Sequence, residues 1–147
     1  MINPTFLIFM LGLGFLFYFC YQDLKKSEIE NKPILAFLIL GVIISIWTNN
    51  ILTLLPFCLF WLLFGGLLWK FNSIGGADVK ILAVLPIFYL ITTPNFISGQ
   101  FIFIMIFGTT GVLYGLLAKL IIKRNEIPFL PIITLSYILS YIFWTIN

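Results

Sequence analysis

Apolar residues fill this chain in six long stretches, and little lies between them. The stretches run over residues 5–22, 33–47, 51–69, 79–93, 101–122 and 127–146. A helix that crosses the hydrocarbon of a bilayer needs about 20 apolar residues. The second and fourth stretches are shorter, near 15 residues or about 23 Å at 1.5 Å per residue, a length that a thinned bilayer or a re-entrant flank accommodates. Six spans nearly exhaust 147 residues, so the pattern predicts one all-α, polytopic membrane domain over 1–147. Only 9% of the residues are charged, against about a quarter in a soluble domain. There is no material for a separate water-facing catalytic module. Any chemistry has to sit on helix ends and short loops.

The residue inventory narrows that chemistry. The chain has no histidine, which excludes Ser-His and Cys-His nucleophile pairs and His-ligated metals. Its two cysteines, Cys20 and Cys58, lie far apart within apolar runs and read as small buried hydrophobes. Neither metal nor thiol is therefore expected to take part, and no cofactor is implied. The net charge of +3 comes from eight basic residues in three separate places, so nucleic-acid binding is not expected. The first stretch lacks the basic flank and small-residue cleavage site of a signal peptide and reads as a retained helix. Gly111 and Gly115, with Gly108 one turn earlier, offer a close-packing face on the fifth helix, expected to serve packing within the chain.

The charges also give an orientation. Lys25, Lys26 and Lys32 follow the first stretch, Lys70 and Lys80 bracket the connection between the third and fourth, and Lys119, Lys123 and Arg124 precede the sixth. The alternate connections, marked by Asn49-Asn50 and by Thr92-Thr93-Pro94-Asn95, carry no charge. The positive-inside rule then puts the three basic loops in the cytoplasm and both termini outside.

The chain contains two aspartates, Asp23 and Asp78. Asp23 ends a helix that runs inward and Asp78 opens one that runs outward, so topology puts both carboxylates at the cytoplasmic edge. Each alone is an ordinary helix-end charge, and Asp78 suits the positive N-terminus of its helix. Together they form a possible peptidase: one ionised carboxylate takes a proton from water, and the other donates one to a scissile carbonyl. Close carboxylates do not both ionise readily, so such a pair shares a proton near its working pH. Gly75, Gly76 and Ala77, just before Asp78, lack bulk and let an extended peptide approach the backbone.

The segment Ser73-Ile-Gly-Gly-Ala-Asp-Val-Lys80 resembles the G-x-G-D motif of the type IV prepilin peptidases, a family of membrane aspartic proteases. Gly75 matches the first glycine, Gly76 the free position, Ala77 the second glycine and Asp78 the aspartate, with Val79-Lys80 as the usual continuation. Ala77 departs from the strict motif by one methyl group, tolerable unless φ there is positive. The second region agrees: Asp23-Leu24 is followed by Ile29, Glu30 and Asn31, like the family's Ile-Pro-Asn with Glu30 in place of proline. Ile127-Pro128-Phe129-Leu130-Pro131 is similar to the entry to the family's last helix. No G-K-[ST] follows the glycines, so this is not a phosphate loop.

The resemblance implies catalytic roles for Asp23 and Asp78 and a substrate-approach loop of Gly75, Gly76, Ala77 and Lys80. It implies a short, peptidase-only form, because the cysteine-bearing insert of methylating members is missing. The implied partner is a prepilin-like or archaellin-like precursor with a basic leader and an apolar helix, cut at the cytoplasmic membrane surface. Glu28 and Glu30 are candidates to attract the leader, although solvated loop charge is the simpler reading for them and for Glu126. Alternatives are an intramembrane protease of the presenilin or signal-peptide-peptidase kind, a small proton-coupled transporter, or a non-catalytic assembly protein. Against the first, Asp23 follows Tyr21-Gln22 rather than a tyrosine directly. Against the second, no internal repeat or midplane charge is visible. The oligomeric state is not legible.

Overall fold

A computed structural model describes residues 4–26, 29–71, 74–93, 95–117 and 129–146. These residues form six α-helices and no strand: α1 (Pro4–Lys26), α2 (Asn31–Trp47), α3 (Ile51–Lys70), α4 (Gly76–Leu90), α5 (Phe96–Leu117) and α6 (Leu130–Ile146). The expected all-α architecture is what the chain adopts. Three helices, α1, α3 and α5, are long and apolar enough to cross a membrane. Their outward faces carry exposed leucine, phenylalanine and methionine, with Leu52, Leu63 and Met105 the least covered. Such a surface suits hydrocarbon rather than water.

The boundaries differ from the hydropathy reading for local reasons. Helix α1 continues past residue 22, so Asp23 lies within its last turn instead of closing it. Helix α4 begins at Gly76 rather than at residue 79, because Gly75 is extended (φ −76°, ψ 154°) and serves as N-cap. Helix α5 begins at Phe96, five residues early, where the Asn95 side chain accepts N–H bonds from Ile97 and Ser98 at 3.0 and 3.3 Å. That is N-capping, which satisfies donors a helix start leaves free. The turn between α2 and α3 has Asn49 at φ 55°, a left-handed geometry that asparagine tolerates.

Helix α4 is the centre of the bundle and packs against every other helix. From Asp78 to Leu90 nearly every side chain is buried. Glycines on the surrounding helices allow the close approach. A Cβ on Gly41 of α2 would lie 3.1 Å from Val84 and Ile87, and one on Gly65 of α3 would lie 3.2 Å from Val79. A Cβ on Gly12 of α1 would lie 2.6 Å from the Tyr137 hydroxyl and 3.0 Å from Phe88. Small residues at crossings are how helices associate when lipid is as apolar as leucine. Aromatic rings fill the remaining space, with Phe37 of α2 stacked on Phe88 of α4 at 4.5 Å.

The glycine face on α5 is used in part. Gly111 faces Ile132 of α6 at an ordinary 3.8 Å, whereas Gly108 meets nothing within 4 Å. Next to Gly111, the Thr110 hydroxyl shares a hydrogen bond of 2.7 Å with that of Ser136 across the α5–α6 crossing. Cys20 and Cys58 are free and half-buried, packed against the core rather than enclosed in it.

Candidate active site

The C-terminal ends of α1 and α3 and the N-terminal ends of α2, α4 and α6 lie at one end of the bundle. Lys25, Lys32, Lys70 and Lys80 lie at this same end, as alternate basic connections require; Lys119, Lys123 and Arg124 are outside the described residues. At this end a cleft of about 630 Å³ opens. Asp23 and Asp78 both line it, together with Gly75, Gly76, Ala77 and Lys80. The two aspartates and the expected approach loop thus meet in one place. Glu30 is the N-cap of α2 at the same end, whereas Glu28, Glu126, Ser73 and the 127–128 dipeptide lie outside the described residues.

Asp78 is the third residue of α4 and only 7% exposed. Its Oδ2 accepts the Gly75 backbone N–H at 3.0 Å, so the carboxylate folds back over the helix start. A Cβ at Gly75 would lie 3.2 Å from the same oxygen, a tight contact that glycine avoids. No residue of the motif has positive φ, so Ala77, inside the first turn of α4, takes the place of a glycine without strain. Asp78 stands before the apolar run of α4, yet burial pushes its carboxyl up to about 6; the Gly75 N–H opposes this and the charge of Asp23 adds to it. Desolvation dominates, as expected for a carboxylate with few polar neighbours.

Asp23 is half-buried, and its environment is different. Its Oδ2 accepts the backbone N–H of Leu130, the first residue of α6, at 3.4 Å. A carboxylate at a helix N-terminus is favoured in its ionised form by the helix dipole and by free N–H donors. The site therefore holds two unequal carboxyl groups, one enclosed and one held against another helix's start.

Hydropathy gave no sign of three other lining residues. Trp69, the penultimate residue of α3, stands over Gly76, with its indole nitrogen 3.8 Å from where a Cβ would be. Ile29, from the α1–α2 connection, and Asn31, the first residue of α2, also line it; in the sequence only the family pattern marks them. Lys80 donates to Asn31 Oδ1 at 3.0 Å. Among the described residues, no three Asp, Glu or Cys side chains come together in a way that would hold a metal ion.

The family described as Type IV leader peptidase family matches residues 10–146, nearly the whole chain, whereas no curated protein and no solved structure matches. The chain belongs to the type IV leader peptidase family.

Proposed function

We propose that this leader peptidase is of the aspartic type, with Asp23 and Asp78 as its catalytic pair. We take its substrates to be prepilin-like or archaellin-like precursors, cut at the cytoplasmic face of the cell membrane. The observation that carries this reading is the shared cleft, in which the two aspartates have unequal surroundings. The four lysines at the cleft end support a cytoplasmic placement through the positive-inside rule, with both chain termini outside.

The asymmetry supports a division of roles. Asp78, desolvated, holds the shared proton; Asp23, against the α6 N-terminus, is the anion. Asp23 takes a proton from water as the water oxygen adds to the scissile carbonyl carbon. Asp78 gives its proton to the carbonyl oxygen, leaving a neutral gem-diol. Asp23 then protonates the amide nitrogen while Asp78 recovers a proton from the diol, and the C–N bond breaks. The products are a carboxylic acid and an amine, and both aspartates return to their starting states. An extended substrate backbone approaches over Gly75 and Gly76, which carry no side chains of their own, with Trp69 flanking Gly76.

The test is leader cleavage of a precursor in detergent, read as a gel shift with enzyme amounts matched. Asp23→Asn and Asp78→Asn should each lower the rate by about 10²–10⁴-fold, the usual worth of a general acid or base. The double variant should be barely worse, because the pair acts as a unit. Glu30→Gln should keep substantial activity. Near-normal cleavage by either aspartate variant refutes the aspartic reading, and a cut within the apolar helix of the precursor would point to intramembrane proteolysis instead.

A further inference from the structure

Lys80 stands where a lysine gains nothing from its own helix. It is the fifth residue of α4, near the positive end of the helix dipole, which disfavours cations. Its ammonium reaches to the first residue of α2 and donates to Asn31 Oδ1 at 3.0 Å, across 49 residues of sequence. The segment it holds is also tied to α1, since the Glu30 backbone N–H donates to Gln22 Oε1 at 3.3 Å. Gln22 is buried and fixed in turn, its Nε2 donating to the Tyr18 hydroxyl at 3.0 Å. Two hydrogen bonds, joined through the Glu30–Asn31 peptide, therefore link the residue before Asp23 to the residue two past Asp78. Asn31 and Lys80, on that route, both line the cleft, as does the neighbouring Ile29.

We propose that the Lys80–Asn31 bond is a latch that draws the α1–α2 connection onto the start of α4 and so sets the spacing of Asp23 and Asp78, making Lys80 and Asn31 positioning residues for cleavage. The proposal rests on the aspartic reading above. The bond is exposed and lies outside the core that holds α4 in place. Breaking it should move the carboxylates relative to each other while the bundle stays folded.

The experiment uses the full-length protein in detergent. Asn31→Ala removes the acceptor without changing any charge, so Asp23, Asp78 and Lys80, and the more distant Lys25, Glu30, Lys32 and Lys70, all remain. Its kcat should fall roughly three- to tenfold, the worth of one net hydrogen bond, with KM little changed. Lys80→Arg should keep most of the rate. Lys80→Met combined with Asn31→Ala should be no slower than Lys80→Met alone. In Asn31→Ala the two macroscopic pKa values of the pH–rate bell should draw together as the carboxylates separate, which a loss of folded protein does not produce. Amide hydrogen exchange supplies an arm that needs no substrate: Asn31→Ala should speed exchange in residues 29–31 and 75–80 and leave the centre of α4 protected. Unchanged exchange there, or a wild-type kcat and bell, overturns the latch. Faster exchange with fully active aspartate variants overturns the aspartic reading and leaves only a structural tie.

Discussion

Replacing Asp78 by asparagine should abolish cleavage and stabilise the protein at the same time. Burial moves the Asp78 carboxyl from 3.8 to about 6, a rise of about 2 units at about 1.36 kcal/mol each. The folded protein thus binds this proton more tightly than the unfolded chain does. Stability contributed by Asp78 is fully present below about pH 4, declines as pH rises toward 6, and is absent above it. At pH 7.5 the wild type carries a penalty of up to about 3 kcal/mol for holding an ionised Asp78 out of water. Asparagine has nearly the same shape, carries no charge, and still offers a carbonyl oxygen to the Gly75 N–H. Its weaker bond to that donor offsets part of the gain, since a charge at a helix start is worth about 0.3–1 kcal/mol. The net stabilisation expected is about 2 kcal/mol at pH 7.5 and close to zero at pH 4. Thermal unfolding in detergent, followed by near-ultraviolet ellipticity at both pH values, measures it. An Asp78→Asn melting point at or below that of the wild type at pH 7.5 refutes the picture of an enclosed, proton-holding Asp78.

Gly12→Ala should destabilise the bundle by about 1–3 kcal/mol, the usual range for overpacking, because its Cβ would lie 2.6 Å from the Tyr137 hydroxyl and 3.0 Å from Phe88 Cβ; Gly14→Ala, which meets nothing within 4 Å, is the control in the same melting assay, and equal loss in both contradicts the packing account. The orientation is open to labelling with a membrane-impermeant thiol reagent in a parent carrying Cys20→Ala and Cys58→Ala. A cysteine at Asn50 should react in intact cells and one at Lys32 only after lysis, and the reverse pattern puts the cleft outside the cell.

Hydropathy located all six helices because each needs its own apolar run, but it erred where tertiary contacts decide. The start of α5 is an example. Ser98, Gly99 and Gln100 look like loop residues, yet Gly99 and Gln100 are helical and Gln100 is buried. A Cβ on Gly99 would lie 2.8 Å from Thr93 Oγ1 and 3.1 Å from Leu90, a fit that no local pattern encodes. The central place of α4 was equally hidden. Lipid and protein interior are both apolar, so the composition of a helix does not tell which of the two surrounds it. At the site, the aspartates and the glycine run were legible, because charge is rare here and each departure stands out. Trp69 and the Lys80–Asn31 bond were not, since both depend on which helix ends come together.

The bond from Leu130 to Asp23 joins a residue made early to one made late. A ribosome delivers α1 before α6, and until α6 arrives the carboxylate of Asp23 lacks the Leu130 N–H that it accepts. The hydroxyl of Tyr137, also on α6, donates to the backbone oxygen of Phe9 in α1 at 3.2 Å and fastens the same two helices deeper in the bundle. Nascent chains stalled between α4 and α6 therefore have both aspartates but not the surroundings that make them different from each other. On the aspartic reading proposed above, hydrolytic competence arrives only with α6.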